Sequence, residues 1–168
     1  EEVYPVELIA PDIEAYRKGN IGIEFVTSFD SGKPGPHVMI NAVTHGNEIC
    51  GAIALDYLFK ANVRPAQGKL TLGFINHLAY SNFDPKNPGP SRFVDEDFNR
   101  VWVEERLEGL EVTAELRRAR ELRPVFDSVD LLLDIHSMGT YSKPLMICNG
   151  LTKERNFTKK VNFPAHIM

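Results

Sequence analysis

Cysteine is scarce in this sequence, since 168 residues include only two, Cys50 and Cys148. A small secreted fold held together by several disulfides needs a larger set, so this class of protein is excluded. Both cysteines lie within apolar segments, and we expect buried, reduced thiols rather than a disulfide. Reduced thiols are typical of a cytoplasmic protein.

Long apolar runs and an excess of positive charge are also missing. No stretch approaches the roughly 20 apolar residues that a membrane-spanning helix needs, and the start shows no signal-peptide pattern. The formal net charge is -4 and the isoelectric point is about 5.7. Basic residues between Arg117 and Arg123 alternate with Glu121 and apolar positions. These features argue against a nucleic-acid backbone or an anionic membrane as the main partner.

The sequence contains no internal repeats and no low-complexity segments. Its hydrophobic fraction of 43% is sufficient for one packed core, and we expect a single domain. The chain begins at Glu1 without a methionine and stops at Met168 soon after an apolar stretch. We therefore expect it to be part of a longer protein.

Apolar segments of strand length alternate with segments of helical length. The run from Val38 to Val43 is almost entirely apolar, which is typical of a strand covered on both faces. The predicted strands are Ile21–Val26, Val38–Val43, Leu70–Ile75, Val129–Ile135 and Pro144–Cys148, the predicted helices are Glu48–Ala61 and Val112–Arg123, and the predicted loops are Asp30–Pro36 and Asn76–Pro90. Pro124 is expected to kink or end the second helix. The alternation predicts an α/β sheet with helices on both faces.

A histidine and a glutamate three residues apart follow the strand predicted at 38–43, in the segment His45-Gly46-Asn47-Glu48. A second histidine, His136, ends the strand predicted at 129–135. Ligands of open α/β sheets bind outside the carboxyl ends of the strands, so these three side chains are expected to converge. Two imidazoles and one carboxylate, with a fourth position left for water, are the ligand set of a catalytic zinc ion.

Two ordinary histidines near a surface glutamate are the alternative interpretation, which either histidine alone would favour. The combination of strand, HxxE, helix and a later strand ending in histidine favours the metal site. Zinc, cobalt and manganese all remain open as its occupant. The other three histidines, His37, His77 and His166, have no comparable placement, and we interpret them as surface or packing residues.

The segment from Arg92 to Arg100 places two arginines and an asparagine close together. Arginine binds a carboxylate through paired hydrogen bonds and, in a dry site, stabilises an oxyanion. Asp97 is suited to accept the remaining N–H of a zinc-bound histidine. An acidic surface loop with incidental arginines is the alternative, but beside the predicted zinc ligands the functional interpretation is favoured.

Three blocks resemble the succinylglutamate desuccinylase/aspartoacylase family of zinc carboxypeptidase-like hydrolases. They are His45-Gly46-Asn47-Glu48, then Arg92 with Asp97-Phe98-Asn99-Arg100, then Asp134-Ile135-His136. The resemblance covers roughly residues 38–148, and Phe98 replaces the leucine or methionine usual in the family. It implies a three-layer α/β sandwich with a mixed sheet flanked by helices, zinc carboxypeptidase-like (phosphorylase/hydrolase-like).

The resemblance implies a metal centre with specific ligands. His45, Glu48 and His136 would bind one zinc ion per chain, and Asp97 would orient His45. The chain as a whole, residues 1–168, would be a catalytic zinc-binding α/β domain that lacks its C-terminal part.

The implied reaction is hydrolysis of the amide bond of an N-acyl amino acid or a similar small carboxylate. Arg92 would polarise the scissile carbonyl and stabilise its oxyanion, while Asn99 and Arg100 would hold a substrate carboxylate. The expected partner is therefore a small molecule and neither nucleic acid nor a membrane; a homo-oligomer is compatible with the sequence.

The family's general base is a glutamate well downstream of the last zinc ligand. Glu154, the last glutamate here, follows His136 by only 18 positions and lies in a polar stretch. We interpret it as a surface residue and expect the general base beyond Met168. Two other functions are left open: a zinc carboxypeptidase acting on peptides, and a zinc-binding pseudoenzyme without turnover.

Overall fold

The structure, a computed structural model, describes residues 5–164 and 166–168, with His166 described by its backbone only. The chain divides into two compact units, Glu1–Ser137 and Met138–Met168. In the first unit the strands are β1 (Val26–Asp30), β2 (His37–Ala42), β3 (Lys69–Phe74) and β4 (Leu131–Ile135). Its helices are α1 (Ile49–Lys60), α2 (His77–Ser81), α3 (Glu104–Leu107) and α4 (Ala114–Asp127), and short 3-10 helices span Glu14–Tyr16, Gly89–Arg92 and Phe98–Arg100.

The four strands form one mixed sheet in the order β1-β3-β2-β4. Strand β2 pairs in parallel with both β3 and β4, whereas β1 runs antiparallel to β3. The register places Asn41 of β2 opposite Asp134 of β4. The carboxyl ends of these two parallel strands therefore lie side by side at one edge of the sheet.

Helices pack on both faces of this sheet, as the sequence predicts. On one face, Ala52 and Leu55 of α1 share a buried cluster with Leu72 and Phe74 of β3. On the other face, α4 contributes a second cluster, in which Leu122 packs with residues such as Met39 of β2. Alternate residues of β2 point to opposite faces, so one strand contributes to both cores.

The second unit has few regular elements. Strands β5 (Leu145–Met146) and β6 (His166–Ile167) pair in parallel as a separate two-stranded sheet, and α5 spans Thr152–Val161. The strand predicted at 144–148 thus exists as β5, but it is shorter than expected. The single-domain assignment of residues 1–168 stays a prediction.

The strand predicted at 21–26 is misplaced, because β1 begins only at Val26. Residues 17–25 instead form a loop in which the Phe25 N–H donates to the Arg17 carbonyl at 2.9 Å. Phe25 itself has a φ of 59°, which no β-strand tolerates. The ring of Phe25 stacks on His77, with 4.4 Å between the ring centroids, and this packing holds the loop in place.

Two other boundaries differ from the prediction. The predicted loop after β3 contains α2, which forms because the Asn76 side chain accepts the Ala79 N–H at the helix start. Helix α4 continues through Pro124 instead of ending there. Val125 and Phe126, beyond the proline, pack against the α4-side core and hold the last turn in the helix.

Both cysteines are free, as expected, but they are only half-buried. No helix within the described residues is long and apolar enough to cross a membrane.

The packing of α4 can be tested with two leucines of opposite exposure. Leu122 is fully buried, whereas Leu110 is 98% exposed. Leu122→Ala should lower the free energy of unfolding by about 2–5 kcal/mol, because it leaves a cavity between α4 and the sheet. Leu110→Ala should stay within roughly 0.5 kcal/mol of the parent protein in urea denaturation. Equal effects would mean that α4 does not form the second core.

Candidate metal centre

The first histidine of the site follows a sharp bend at the end of β2. Val43 is fully buried and has a φ of 53°, a left-handed conformation that is rare for a β-branched residue. Its carbonyl accepts the N–H of Asn76 at 3.1 Å, which anchors the bend to the end of β3. The bend directs His45 to the edge of the sheet at which β4 also ends.

Two imidazoles and one carboxylate meet at this edge. His45 Nδ1 lies 2.8 Å from Glu48 Oε1, and His136 Nδ1 lies 2.9 Å from Glu48 Oε2. One ligand atom from each of the three residues lies within 4.8 Å of the others. His45 and Glu48 are buried, whereas His136 is exposed, so the cluster opens to the surface on one side.

The second nitrogen of each imidazole faces a carboxylate. His45 Nε2 is 3.1 Å from Asp97 Oδ1, and His136 Nε2 is 2.9 Å from Asp134 Oδ2. A carboxylate at Nε2 favours the tautomer with the proton on Nε2, and Nδ1 then has a lone pair available for a metal. Both Nδ1 atoms point towards the Glu48 carboxylate, and a bound metal ion would replace the protons through which they hydrogen-bond to it. These donors therefore fit a zinc ion, and the fit rests on their own chemistry.

The electrostatics of the cluster also favour a cation. Burial raises the pKa of Glu48, but hydrogen bonds from His136, His45 and the Ser137 N–H outweigh it, and the pKa falls well below its usual range. Burial likewise raises the pKa of Asp97, and the His45 hydrogen bond helps to reverse this, so the net shift is downward. Hydrogen bonds to Asp134 and then Glu48 raise the pKa of His136 to about 10. Negative charge therefore concentrates around both imidazoles.

Arg92 lies beside this cluster at the end of the 3-10 helix Gly89–Arg92. Its Nη1 donates to Glu48 Oε1 at 3.1 Å, and Nη2 lies 3.4 Å from Asp97 Oδ2. Nη2 is also 3.0 Å from His45 Nε2. In the metal-binding tautomer Nε2 donates to Asp97, so Arg92 keeps only the two carboxylates as partners. Its side chain is 40% exposed, which leaves the guanidinium accessible from outside.

Asn99 and Arg100 differ in their relation to the cluster. Asn99 Nδ2 lies 3.5 Å from His45 Nε2, and its backbone N–H donates to Asp97 at 2.9 Å. The Arg100 side chain is exposed and makes no hydrogen bond to any described residue. The structure thus brings Asn99 to the predicted centre and leaves the guanidinium of Arg100 in solvent.

The sequence of the chain also matches a known protein family. Residues 34–166 match the succinylglutamate desuccinylase/aspartoacylase catalytic domain. The chain belongs to this family. Members of the family are hydrolases, and desuccinylases and deacylases are among them.

Solved structures of the succinylglutamate desuccinylase/aspartoacylase family share the fold. An aspartoacylase family protein from Mesorhizobium loti is 26% identical, with a TM-score of 0.61, over 81% of this chain and 42% of that one. A succinylglutamate desuccinylase/aspartoacylase from Rhodobacter sphaeroides is 23% identical (TM-score 0.60), over 83% of this chain and 42% of that one. Murine aminoacylase 3 is 20% identical (TM-score 0.61), over 80% of this chain and 47% of that one.

This chain therefore spans less than half the length of each of these three structures. The three-layer, carboxypeptidase-like fold expected for the family is confirmed by the mixed sheet, the helices on both its faces and these likenesses. No curated protein is significantly similar to the chain in sequence.

Three residues that contact the cluster were not assigned a role from the sequence. Asp134 orients His136, and Thr44 Oγ1 donates to both oxygens of Asp134 at 2.9 and 3.0 Å. The Ser137 N–H donates to Glu48 Oε2 at 2.9 Å. The spacing of Asp134 two positions before His136 was the available signal, since alternate residues of a strand point to the same face.

His37 and His77 do not contribute to the cluster. The ring of His37 bonds to the Ser128 carbonyl and to Thr71 Oγ1, and His77 stacks on Phe25, so both are packing residues. The side chain of His166 lies outside the described residues. Glu154 accepts the Leu151 N–H at 3.2 Å in the first turn of α5, which is a local structural role.

Gly46, between the two cluster residues His45 and Glu48, provides a test of how tightly this part of the chain is packed. A Cβ at Gly46 would lie 2.3 Å from both the Ala79 carbonyl carbon and the Ser91 oxygen, all of them backbone atoms. Gly46→Ala should therefore lower the free energy of unfolding by about 1–3 kcal/mol or more, because backbone must shift.

Gly89→Ala is the matched control, since nothing lies within 4 Å of the added carbon. Urea denaturation should show this variant within roughly 0.5 kcal/mol of the parent. If Gly46→Ala left the free energy of unfolding equally unchanged, the close packing of Gly46 against the backbone of α2 would be contradicted.

Proposed function

We propose that the protein is a zinc-dependent hydrolase that cleaves the amide bond of an N-acyl amino acid or a similar small carboxylate. Membership of the succinylglutamate desuccinylase/aspartoacylase family supports the reaction class. The convergence of His45, Glu48 and His136 at one edge of the sheet is the single observation that carries the proposal.

In this proposal His45, Glu48 and His136 hold one zinc ion per chain. When bound, zinc polarises a carbonyl and lowers the pKa of water to about 7. Asp97 and Asp134 keep the proton of each imidazole on Nε2, so both Nδ1 atoms remain ligands. Thr44 fixes the Asp134 carboxylate through its hydroxyl.

Arg92 supplies the fixed positive charge of the reaction. The hydrogen bond from its Nη1 to Glu48 places the guanidinium beside the ligand cluster, and the exposed part of the side chain leaves donors for a substrate. Negative charge grows on the amide oxygen when a nucleophile attacks the carbonyl carbon. A preorganised guanidinium stabilises that charge more in the transition state than in the ground state.

The substrate carboxylate is assigned to Asn99 and Arg100. The Arg100 guanidinium has its donors free of hydrogen bonds to described residues, which suits paired hydrogen bonds to a carboxylate. Asn99 lies between Arg100 and Asp97 in the chain and approaches His45, so a carboxylate held there is next to the ligand cluster. The proposal includes a general-base glutamate downstream of His136.

The same proposal takes the partner to be this small substrate and the location to be the cytoplasm. The two free thiols support the location. A panel of N-acyl amino acids and short peptides separates a deacylase from a peptide carboxypeptidase. Faster hydrolysis of peptides than of every N-acyl amino acid would replace the deacylase assignment.

The metal assignment predicts a loss of zinc in His136→Ala. Removing one of three ligands should lower the zinc content of the full-length protein from about one per chain to near zero, as measured by elemental analysis after dialysis. His37→Ala is the control, because the ring of His37 bonds to Ser128 and Thr71. Equal zinc content in both variants would exclude His136 as a ligand.

The charge assigned to Arg92 predicts a kinetic effect. Arg92→Ala should lower kcat on an N-acyl amino acid by roughly 10²-fold or more, about 3 kcal/mol of transition-state stabilisation. Zinc content should not fall, because Arg92 is not a ligand. Arg117→Ala, on the exposed face of α4, is the control for the loss of one positive charge. An unchanged kcat would contradict the role of Arg92.

A further inference from the structure

Glu115, in the first turn of α4, is a fully buried carboxylate outside the metal cluster. It makes four hydrogen bonds to nitrogen donors. Oε1 accepts the Val94 N–H at 2.7 Å and Asn76 Nδ2 at 3.0 Å, and Oε2 accepts the N–H groups of Asp95 and Glu96 at 3.1 and 3.3 Å. Every partner is thus a neutral N–H group, and three belong to consecutive residues of one segment.

Burial of a carboxylate costs several kcal/mol unless hydrogen bonds replace its water. No arginine, lysine or histidine among the described residues forms an ion pair with Glu115. The segment 94–96 must therefore keep its N–H groups aimed at this carboxylate while α4 is packed. Glu115 in turn fixes the backbone of that segment.

The segment 94–96 joins two residues of the metal centre. Arg92 precedes it and Asp97 follows it directly, and both contact His45. Further bonds run between the segment and the start of α4. The Ala114 N–H donates to Asp95 Oδ2 at 2.7 Å, and Thr113 donates to Glu96 Oε1 at 2.7 Å. A shift of the segment relative to α4 would break these bonds too.

The fourth donor, Asn76, links Glu115 to the other half of the centre. The Asn76 backbone N–H donates to the Val43 carbonyl, and Val43 makes the bend that leads to His45. Through Asn76, this carboxylate therefore connects the segment between Arg92 and Asp97 to the turn with His45.

We propose that Glu115 is a positioning residue, which sets Asp97 and Arg92 relative to His45 and thereby tunes metal affinity. The proposal rests on the proposed zinc site. Glu115→Gln keeps the shape of the side chain. Its amide NH2 group, however, would face N–H groups that now donate to a carboxylate oxygen, so donor would meet donor. In the full-length protein we expect the zinc dissociation constant, measured by chelator competition, to rise about tenfold or more, as when other partners of ligand histidines are removed.

A double variant separates positioning from general loss of stability. If Glu115 acts through Asp97, Glu115→Gln should weaken zinc binding in the parent but hardly further in Asp97→Ala. Independent, multiplying effects on the dissociation constant would overturn the proposal. Glu115→Asp keeps the carboxylate on a shorter side chain and should retain part of the zinc affinity. This variant replaces Glu115→Gln in the measurement if Glu115→Gln does not fold.

Arg118, in the next turn of α4, is the matched control. It is also buried, but it donates to the carbonyls of Ile75, Phe74 and Glu24 and not to segment 94–96. Arg118→Gln should lower the melting temperature. At temperatures where this variant is folded, its zinc affinity should equal that of the parent protein. Equal loss of affinity in both variants would reduce Glu115 to a structural residue and overturn the proposal.

Amide hydrogen exchange tests the positioning role of Glu115 independently of zinc binding. If the parent protein binds no zinc, the proposed function fails, and so does the effect on affinity. The positioning of the segment is still measurable, because Glu115→Gln should speed amide exchange selectively at residues 94–97, and Arg118→Gln should not. Unchanged exchange there would refute the claim that Glu115 fixes the segment.

Discussion

The shared carboxylate of Glu48 is the interaction on which the centre depends. Each of its oxygens faces the Nδ1 of a different histidine, and the two histidines follow two neighbouring parallel strands. Because β2 and β4 run in the same direction, their carboxyl ends reach one edge of the sheet. An antiparallel β4 would present its other end there and carry His136 to the far edge.

Hydrogen bonds around Glu48 stabilise several carboxylates at this edge of the sheet. The imidazoles of His45 and His136 are oriented by Asp97 and Asp134, and Asp134 is itself held by the hydroxyl of Thr44. Arg92 balances part of the negative charge of Glu48. Each carboxylate thus has a defined set of donors, which buried charges require if they are not to destabilise the fold.

The sequence predicts the parts of the site that depend on periodicity and spacing. The strand before His45, the helix after Glu48 and the strand before His136 all form within one or two residues of the predicted bounds. It does not assign the role of Asp134, because the spacing places that carboxylate on the same side of the strand as His136 but does not show that it reaches the imidazole. Nor does it predict β1, since a positive φ at Phe25 depends on tertiary stacking against His77. Local propensity contains no information about such contacts.

Glu115 illustrates the largest gap between sequence and site. In the sequence it is one charged residue near the start of an amphipathic helix, where an exposed position stabilised by the helix dipole is the ordinary expectation. Its burial depends on three backbone N–H groups, which any sequence at 94–96 other than proline would provide. Residue identity therefore gives no signal for the partner. Only the fold, by bringing the segment after Arg92 against α4, gives that carboxylate its partners.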